Sequence, residues 1–341
     1  MKHILVFRLS AMGDVAMTIP VIRALTNQHP EVRVTVVSRP FFKPFFSEMD
    51  RVDFFAIDLN QRHKGFAGLI RLYKDLKKLN IDAFADLHNV LRSIVVHNLF
   101  KLSGVKVAHL DKGRKEKKDL TRLENKIFKP LKAMHQRYAE VFEKLGFTVN
   151  IAQANFPAKP VLSEKIISLT GAKTQKWIGI APFAQYNTKV YPLDLMQEVM
   201  NKLATNAEHK LFLFGGKTDV ATMQKLQNNH PNVEVVFGKL SFPEELDLIA
   251  NLDVMLSMDS GNAHIASMYG VKTIVLFGAT HPYAGFMPFG QPLEHALTPD
   301  RNQYPKLPTS VYGNKLVDGY QDAMRTITPE QVVDLVSAIS R

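Results

Sequence analysis

Cysteine is missing from all 341 residues. That excludes disulfides and thiolate metal sites, and it suits a reducing compartment. No stretch approaches the ~20 consecutive apolar residues of a membrane-spanning helix. The opening run Ile4-Leu5-Val6-Phe7 is too short for the core of a secretory signal and meets Arg8 at once. A cytoplasmic protein is the expectation. Two nucleotide fingerprints are also absent. There is no G-x-x-x-x-G-K-[ST] loop, and the missing G-x-G-x-x-G weakens an NAD-dependent dehydrogenase reading. Neither a D-x-D-like pair at a strand end nor a paired-histidine site is present, so no metal site is expected. No repeat of 20–50 residues is visible.

What the chain does contain describes a globular protein: 46% apolar and 22% charged residues. Its length makes two domains the default. Basic side chains outnumber acidic ones 43 to 32, a net charge of +11 that implies anionic partners. Residues 101–137 hold twelve Lys or Arg against four Asp or Glu, densest from Lys112 to Lys118. A solvated surface run explains such a segment about as well as a clamp for phosphate or carboxylate groups. Aromatic residues are almost absent from it, which argues against stacking on single-stranded nucleic acid.

Short apolar runs alternate with amphipathic segments throughout, the pattern of doubly wound α/β domains. Strands are expected at Lys2–Phe7, Val32–Val37, Phe54–Ile57 and Ala83–Leu87, and helices from about Met17 to Gln28, Leu69 to Leu79 and Leu91 to Lys101. Phe147 to Pro160 reads as a crossing between domains. A second series runs from the Trp177–Pro182 strand onward, with helices at Leu193–Ala204, Asp219–Asn228 and Pro243–Asn251. Residues 286–325 carry no readable pattern. Thr328-Pro329-Glu330-Gln331 is a helix start, with Thr328 as cap and Pro329 at the first position.

Two polar turns stand out. The run Val254–Met258 ends in Asp259-Ser260-Gly261-Asn262, after which a helix and then the strand Thr273–Gly278 follow. This is a parallel βαβ unit with its turn at the carboxyl end of the first strand, where open α/β sheets bind ligands. Ser260 is a plausible N-cap, Gly261 allows close approach to the backbone, and His264 falls in the first helical turn. An ordinary capped helix with a structural histidine is the competing account. The other turn, Arg8-Leu9-Ser10-Ala11-Met12-Gly13-Asp14-Val15, follows the first strand. An acid at that helix start would repel phosphate and suits a base or a hydroxyl-binding group.

Ser10-Ala11-Met12-Gly13-Asp14-Val15, with Thr18-Ile19-Pro20 behind it, resembles the opening of glycosyltransferase family 9, the bacterial heptosyltransferases. Met258-Asp259-Ser260-Gly261-Asn262-Ala263-His264 and Phe277-Gly278-Ala279-Thr280-His281-Pro282 resemble that family's carboxyl-terminal signature, so the resemblance spans essentially the whole chain. It implies an α/β fold of GT-B architecture: two Rossmann-like doubly wound domains facing a central cleft. The corresponding division is 1–155 for acceptor binding and 156–325 for the nucleotide sugar. A terminal helix, 326–341, is free to pack back on the first domain. The implied activity is inverting, metal-independent transfer of heptose from ADP-heptose to the inner core of lipopolysaccharide. No cofactor is implied, the ADP-sugar being substrate.

Carried over by position, Asp14 matches the catalytic base and Lys189 the lysine at the donor phosphates and sugar. Thr188, Asp259, Ser260, Gly261 and His264 match the donor pocket, and Asp219 is placed near ribose or base. Ser10, Gly13 and Arg92 fall to the acceptor, as do Arg114, Lys115 and Lys118, which would meet an anionic glycolipid and hold the enzyme peripherally on the cytoplasmic face of the inner membrane. No nucleic-acid partner is expected. Two departures leave room for another sugar or acceptor: His88-Asn89 replaces a Gln-Gly pair, and Pro182-Phe183-Ala184-Gln185 stands where small hydroxyl residues often bind phosphate. The alternatives are a related transferase with a different donor or acceptor, and a non-catalytic nucleotide-sugar-binding protein.

Overall fold

The computed structural model describes residues 1–315 and 317–340. Its chain divides into two compact units, one of residues 1–112 and 132–156, the other of residues 113–131 and 157–341. Among the described residues each unit is built on one all-parallel sheet, of five strands in the first and six in the second.

The first unit begins with β1 (Lys2–Phe7), buried on both faces from His3 onward, as a strand in the middle of a covered parallel sheet must be. Two helices, α1 (Met12–Ala16) and α2 (Thr18–Gln28), follow, with Pro20 tolerated in the first turn of α2. Then come β2 (Val32–Ser38), β3 (Val52–Ala56), α3 (Gly65–Lys77), β4 (Ala83–Asp86), α4 (Leu91–Leu102) and β5 (Lys106–His109). The chain leaves this unit for α5 (Arg114–Thr121) and returns as α6 (Met134–Leu145). The strand order is β3-β2-β1-β4-β5, so the direction of winding reverses at β1. Parallel sheets of this kind bind ligands at the carboxyl ends of the strands where the order reverses. The residue that follows β1 there is Arg8.

The second unit runs α7 (Glu164–Thr170), β6 (Lys176–Ala181), α8 (Leu193–Ala204), β7 (His209–Leu213), α9 (Val220–Gln227), β8 (Val233–Val235), α10 (Phe242–Ala250), β9 (Val254–Met258), α11 (Gly261–Met268), β10 (Lys272–Leu276), β11 (Ala296–Leu297) and α12 (Pro329–Ser340). Its order, β11-β10-β9-β6-β7-β8, reverses between β9 and β6. β9 is fully buried, and its end delivers Asp259 to that switch point.

Two expectations about domain membership are corrected. Residues 113–131 belong to the second unit although they lie within 1–155 in sequence. Side-chain chemistry holds them there: Phe128 meets His281 edge-on and Tyr283 at a tilt, with centroids 4.9 Å away from each, and the Lys126 ammonium donates to the Pro308 carbonyl at 2.6 Å. The terminal helix α12 joins the core of the second unit, where Val332 and Val336 are fully buried beside α8 residues such as Val199 and Leu203. The Tyr191 hydroxyl donates to the Ile327 carbonyl at 2.6 Å and fixes the chain just before it.

Candidate functional site

In the first unit the turn after β1 is organised by a buried guanidinium. Arg8 is 6% exposed, and its Nη2 lies 2.6 Å from Asp14 Oδ2 while Nη1 donates to the Leu87 carbonyl at 2.7 Å. It sits over the Tyr138 ring at 5.9 Å. Burial alone would disfavour the charge, but Tyr138, Asp14 and Asp86 more than offset it, and its pKa stands above the ordinary value. Asp14 is the third residue of α1; Oδ2 also accepts the Ala11 amide at 3.1 Å, the reach-back bond that closes a helix start. Its side chain is 27% exposed. The carboxylate is thus oriented from two sides yet remains partly accessible to water. Ser10 and Gly13 line the same turn and are half-buried.

The neighbouring loop, after β4, is built on Asp86. That carboxylate is fully buried and accepts the His97 Nδ1–H at 2.9 Å and the amides of His88 and Asn89 at 2.9 and 2.7 Å. Burial raises its pKa, and the bonds from His97, Asn89, Ser93 and His88 outweigh that and hold it below the usual carboxylate range. His88, which replaces the family's Gln, is pushed down to about 4 by burial and by the Arg8 and Lys112 charges. It is therefore neutral across physiological pH. Arg92, the second residue of α4, is exposed at this same carboxyl edge.

In the second unit, Lys189 Nζ lies 3.0 Å from Asp259 Oδ2, with the two side chains 13% and 10% exposed. The Thr280 hydroxyl donates to the same oxygen at 2.8 Å. Lys189 ends the short 3₁₀ turn Asn187–Lys189, and Gly313, at φ +82°, packs against its stem. A Cβ there would fall 2.3 Å from Lys189 Cδ, so the left-handed glycine is required for both backbone shape and space. The Thr188 carbonyl accepts the Ala279 amide at 2.9 Å, and its hydroxyl donates to the Gly313 carbonyl. Gly278 is forced by the same contact, since an added Cβ would lie 2.1 Å from the Thr188 carbonyl oxygen. A cavity of about 40 Å³ remains beside these residues, lined among others by Thr188, Gly278, Thr309 and Tyr320.

Helix α11 starts at this point, and its first-turn amides are donors without intrahelical acceptors. Ser260 occupies the cap position as expected, but its hydroxyl meets Ser257 Oγ at 3.1 Å and makes no cap bond. Gly261 is the first helical residue, and His264 is buried at the fourth. Asp219 serves the backbone of its own turn. Its Oδ2 accepts the Gly216 amide at 2.8 Å and closes the entry into α9.

Lys189, Thr188 and the Asp259–His264 stretch are thus brought together in the second unit. Asp14, Ser10, Gly13 and Arg92 share the carboxyl edge of the first sheet. Arg114, Lys115 and Lys118 are exposed on α5, which belongs to the second unit. Lys117, between them, is 6% exposed and caps the Phe286 ring at 4.4 Å. Arg8 and Thr280 belong to the site although the motifs do not single them out. The one local signal for Arg8 is a charge ending an otherwise apolar strand six residues before an acid. Among the described residues no group of three or more His, Asp or Glu side chains is placed to hold a metal ion.

The family model for Glycosyltransferase family 9 (heptosyltransferase) matches residues 69–317. The chain belongs to that family. It is a glycosyltransferase. Lipooligosaccharide heptosyltransferase 2 of Haemophilus influenzae is 27% identical over 99% of both chains. Lipopolysaccharide heptosyltransferase 3 of Escherichia coli is 22% identical over 79% of this chain and 81% of its own. Among solved structures, a family 9 glycosyltransferase from Veillonella parvula superposes with a TM-score of 0.76 at 19% identity, covering 99% of this chain and 97% of that one. The E. coli heptosyltransferase WaaC with ADP gives 0.69 at 17% identity, with 99% of each chain covered. The fold is therefore GT-B, each unit being one of its Rossmann-like halves. The Asp14 turn lies outside the residues matched by the family model.

Proposed function

We propose that this glycosyltransferase moves heptose, with inversion, from ADP-heptose to an inner-core hydroxyl of lipopolysaccharide. The observation that carries the donor half is the Lys189–Asp259 pair, 3.0 Å apart at the start of α11. A nearly buried ammonium beside a row of helix-start amides suits a diphosphate, and Asp259 suits the hydroxyls of the sugar attached to it. A relative's structure named as holding ADP and another named as holding an ADP-2-deoxy-2-fluoro heptose support the choice of donor.

In the acceptor half, Asp14 is the general base. The acceptor oxygen attacks the anomeric carbon as the bond from that carbon to the diphosphate breaks. The acceptor proton passes to the Asp14 carboxylate, and ADP leaves with the bonding pair. Lys189 and the α11 amides neutralise the charge that grows on the departing phosphate. Arg8 holds the base in position. No cofactor takes part. Lys and Arg of the 113–122 arm meet the carboxylates and phosphates of the glycolipid and draw the enzyme to the cytoplasmic leaflet, an attraction that strong salt should weaken.

Calorimetric titration with ADP, UDP, GDP and NAD tests the donor assignment. Selective ADP binding, weakened in Lys189→Ala, is the expected result. A preference for UDP or GDP would move the donor to another sugar, and NAD binding without discrimination among the nucleotides would overturn the assignment.

A further inference from the structure

The carboxyl edge of the first sheet carries large apolar side chains in solvent. Phe41 is 54% exposed, Phe66 70% and Leu91 78%. Phe41 follows β2 at the head of the 3₁₀ turn Pro40–Phe46, Phe66 is the second residue of α3 after β3, and Leu91 is the first residue of α4 after β4. Because β2, β3 and β4 run parallel, all three positions lie at one edge. Phe66 and Leu91 are also neighbours along it. α3 packs along α4, so their starts are neighbours at the ~8–10 Å spacing of packed helices. The 3₁₀ turn packs on the other face of the sheet, with Phe46 5.7 Å from Phe54 between ring centroids while the adjacent Phe55 joins the core under α3, so Phe41 flanks the edge from the opposite side.

The charges interleaved with these side chains are mostly basic. Arg39, Lys43, Lys64 and Arg92 are all exposed. The acids in the same loops are engaged with the protein: half-exposed Asp58 accepts the amides of Asn60, Gln61 and Arg62, and Asp86 is buried on His97. Glu48 and Asp50 precede β3 and lie toward the opposite edge. Exposed Phe and Leu within a rim of Lys and Arg is the composition of a surface that sits in the headgroup region of an anionic bilayer.

We propose that this edge of the first unit docks on an anionic phospholipid surface. Phe41, Phe66 and Leu91 enter the boundary between headgroups and acyl chains, and Arg39, Lys43 and Lys64 pair with lipid phosphates. This goes beyond the reading above, which puts membrane contact on the basic arm of the second unit alone. It adds an apolar component that salt does not screen, and it turns the edge bearing Asp14 toward the membrane that would hold a lipid-linked acceptor.

The test is co-sedimentation of the full chain with vesicles of phosphatidylglycerol and phosphatidylcholine that contain no glycolipid. Binding that falls but persists in strong salt is expected. The triple variant F41S/F66S/L91S should lose at least about tenfold in partitioning while transferring to a de-acylated, water-soluble acceptor as the parent does. Arg39→Gln, Lys43→Gln and Lys64→Gln should each cost up to about fivefold on the anionic vesicles and nothing on pure phosphatidylcholine. The vesicle result stands whether or not the sugar donor proves to be ADP-heptose. Unchanged partitioning of the triple variant would overturn the proposal. A raised KM for the soluble acceptor with unchanged partitioning would do the same and make the edge an acceptor contact. Conversion of a dimer to a monomer in sedimentation velocity, again with unchanged partitioning, would make it a self-association surface.

Discussion

The turn after β1 and the turn after β9 each place an aspartate just beyond a buried strand, with a basic side chain within 3.0 Å of it. Beyond that they differ. Asp14 stands inside its helix, on the third residue, with its side chain 27% exposed and its cation the buried partner. Asp259 stands before its helix, 10% exposed, and no side chain among the described residues caps the first-turn amides of α11. The first arrangement keeps a carboxylate within reach of a hydroxyl proton. The second keeps an ammonium and N–H donors at a place suited to an anion. One backbone device, a strand running into a helix, thus serves opposite charges according to whether the acid sits inside the helix or ahead of it.

The comparison is sharpest at Lys189. Lys189→Ala takes the cation away from a nearly buried Asp259 and leaves the Thr280 hydroxyl, a neutral donor, on Oδ2. Truncating one member of such a pair costs about 2–5 kcal/mol, so ADP should bind at least ~30-fold more weakly by calorimetry. An effect below threefold would erase the distinction between the turns.

Acid provides the next test, because each unit holds a neutral histidine, His88 half-buried and His281 buried. His88 and His281 are both pushed down to about 4, His88 by burial, Arg8 and Lys112, His281 by burial, Arg301 and Lys126. Between pH 6.5 and 4 the unfolded chain binds a proton at each that the folded chain refuses. Stability present above 6.5 is therefore lost on acidification, by ~3 kcal/mol per histidine. Urea titrations across that range should show the loss, and His88→Asn and His281→Asn should each flatten part of the slope.

Arg8→Ala removes two charge-assisted bonds from the first turn and is expected to cost about 2 kcal/mol in urea denaturation, with a matching fall in turnover and no change in ADP affinity. Arg8→Lys should recover only part, since an ammonium cannot reproduce the two-pronged contact to Asp14 and Leu87. The smallest effect belongs to Asp219→Ala. Loss of its bond to the Gly216 amide should cost about 1 kcal/mol of stability and less than threefold in ADP affinity. A larger loss of affinity would restore Asp219 to the nucleotide.

Much of this architecture is written in local pattern. β1, β9 and α8 fall at the expected residues because each is an uninterrupted apolar run or a clean helical stripe between polar turns. Helix α6 is harder to see, because the lysines and arginines around it merge it with the basic run. Yet Met134, Tyr138, Val141, Phe142 and Leu145 repeat at helical spacing and are all buried. The fate of residues 113–131 is not legible at all, because nothing local tells which of two cores Phe128 will join. The loop 309–314 is equally opaque. Ser310 Oγ gathers the amides of Tyr312, Gly313 and Asn314, and the Ala279 carbonyl accepts the Thr309 and Ser310 amides. These contacts leave no periodic trace. The proposed acids and lysine lie in recognisable motifs, whereas Arg8 matters in part, and Thr280 wholly, through partners that only the fold brings to them.

The most direct measurement is turnover of ADP-heptose by Asp14→Asn alongside its affinity for ADP. The account predicts a fall in kcat of ~10²–10⁴-fold, the worth of a positioned general base, with ADP affinity within twofold of the parent. Turnover within tenfold of the parent, or a parallel loss of ADP binding, would contradict the assignment of proton transfer to the first turn and anion binding to the second.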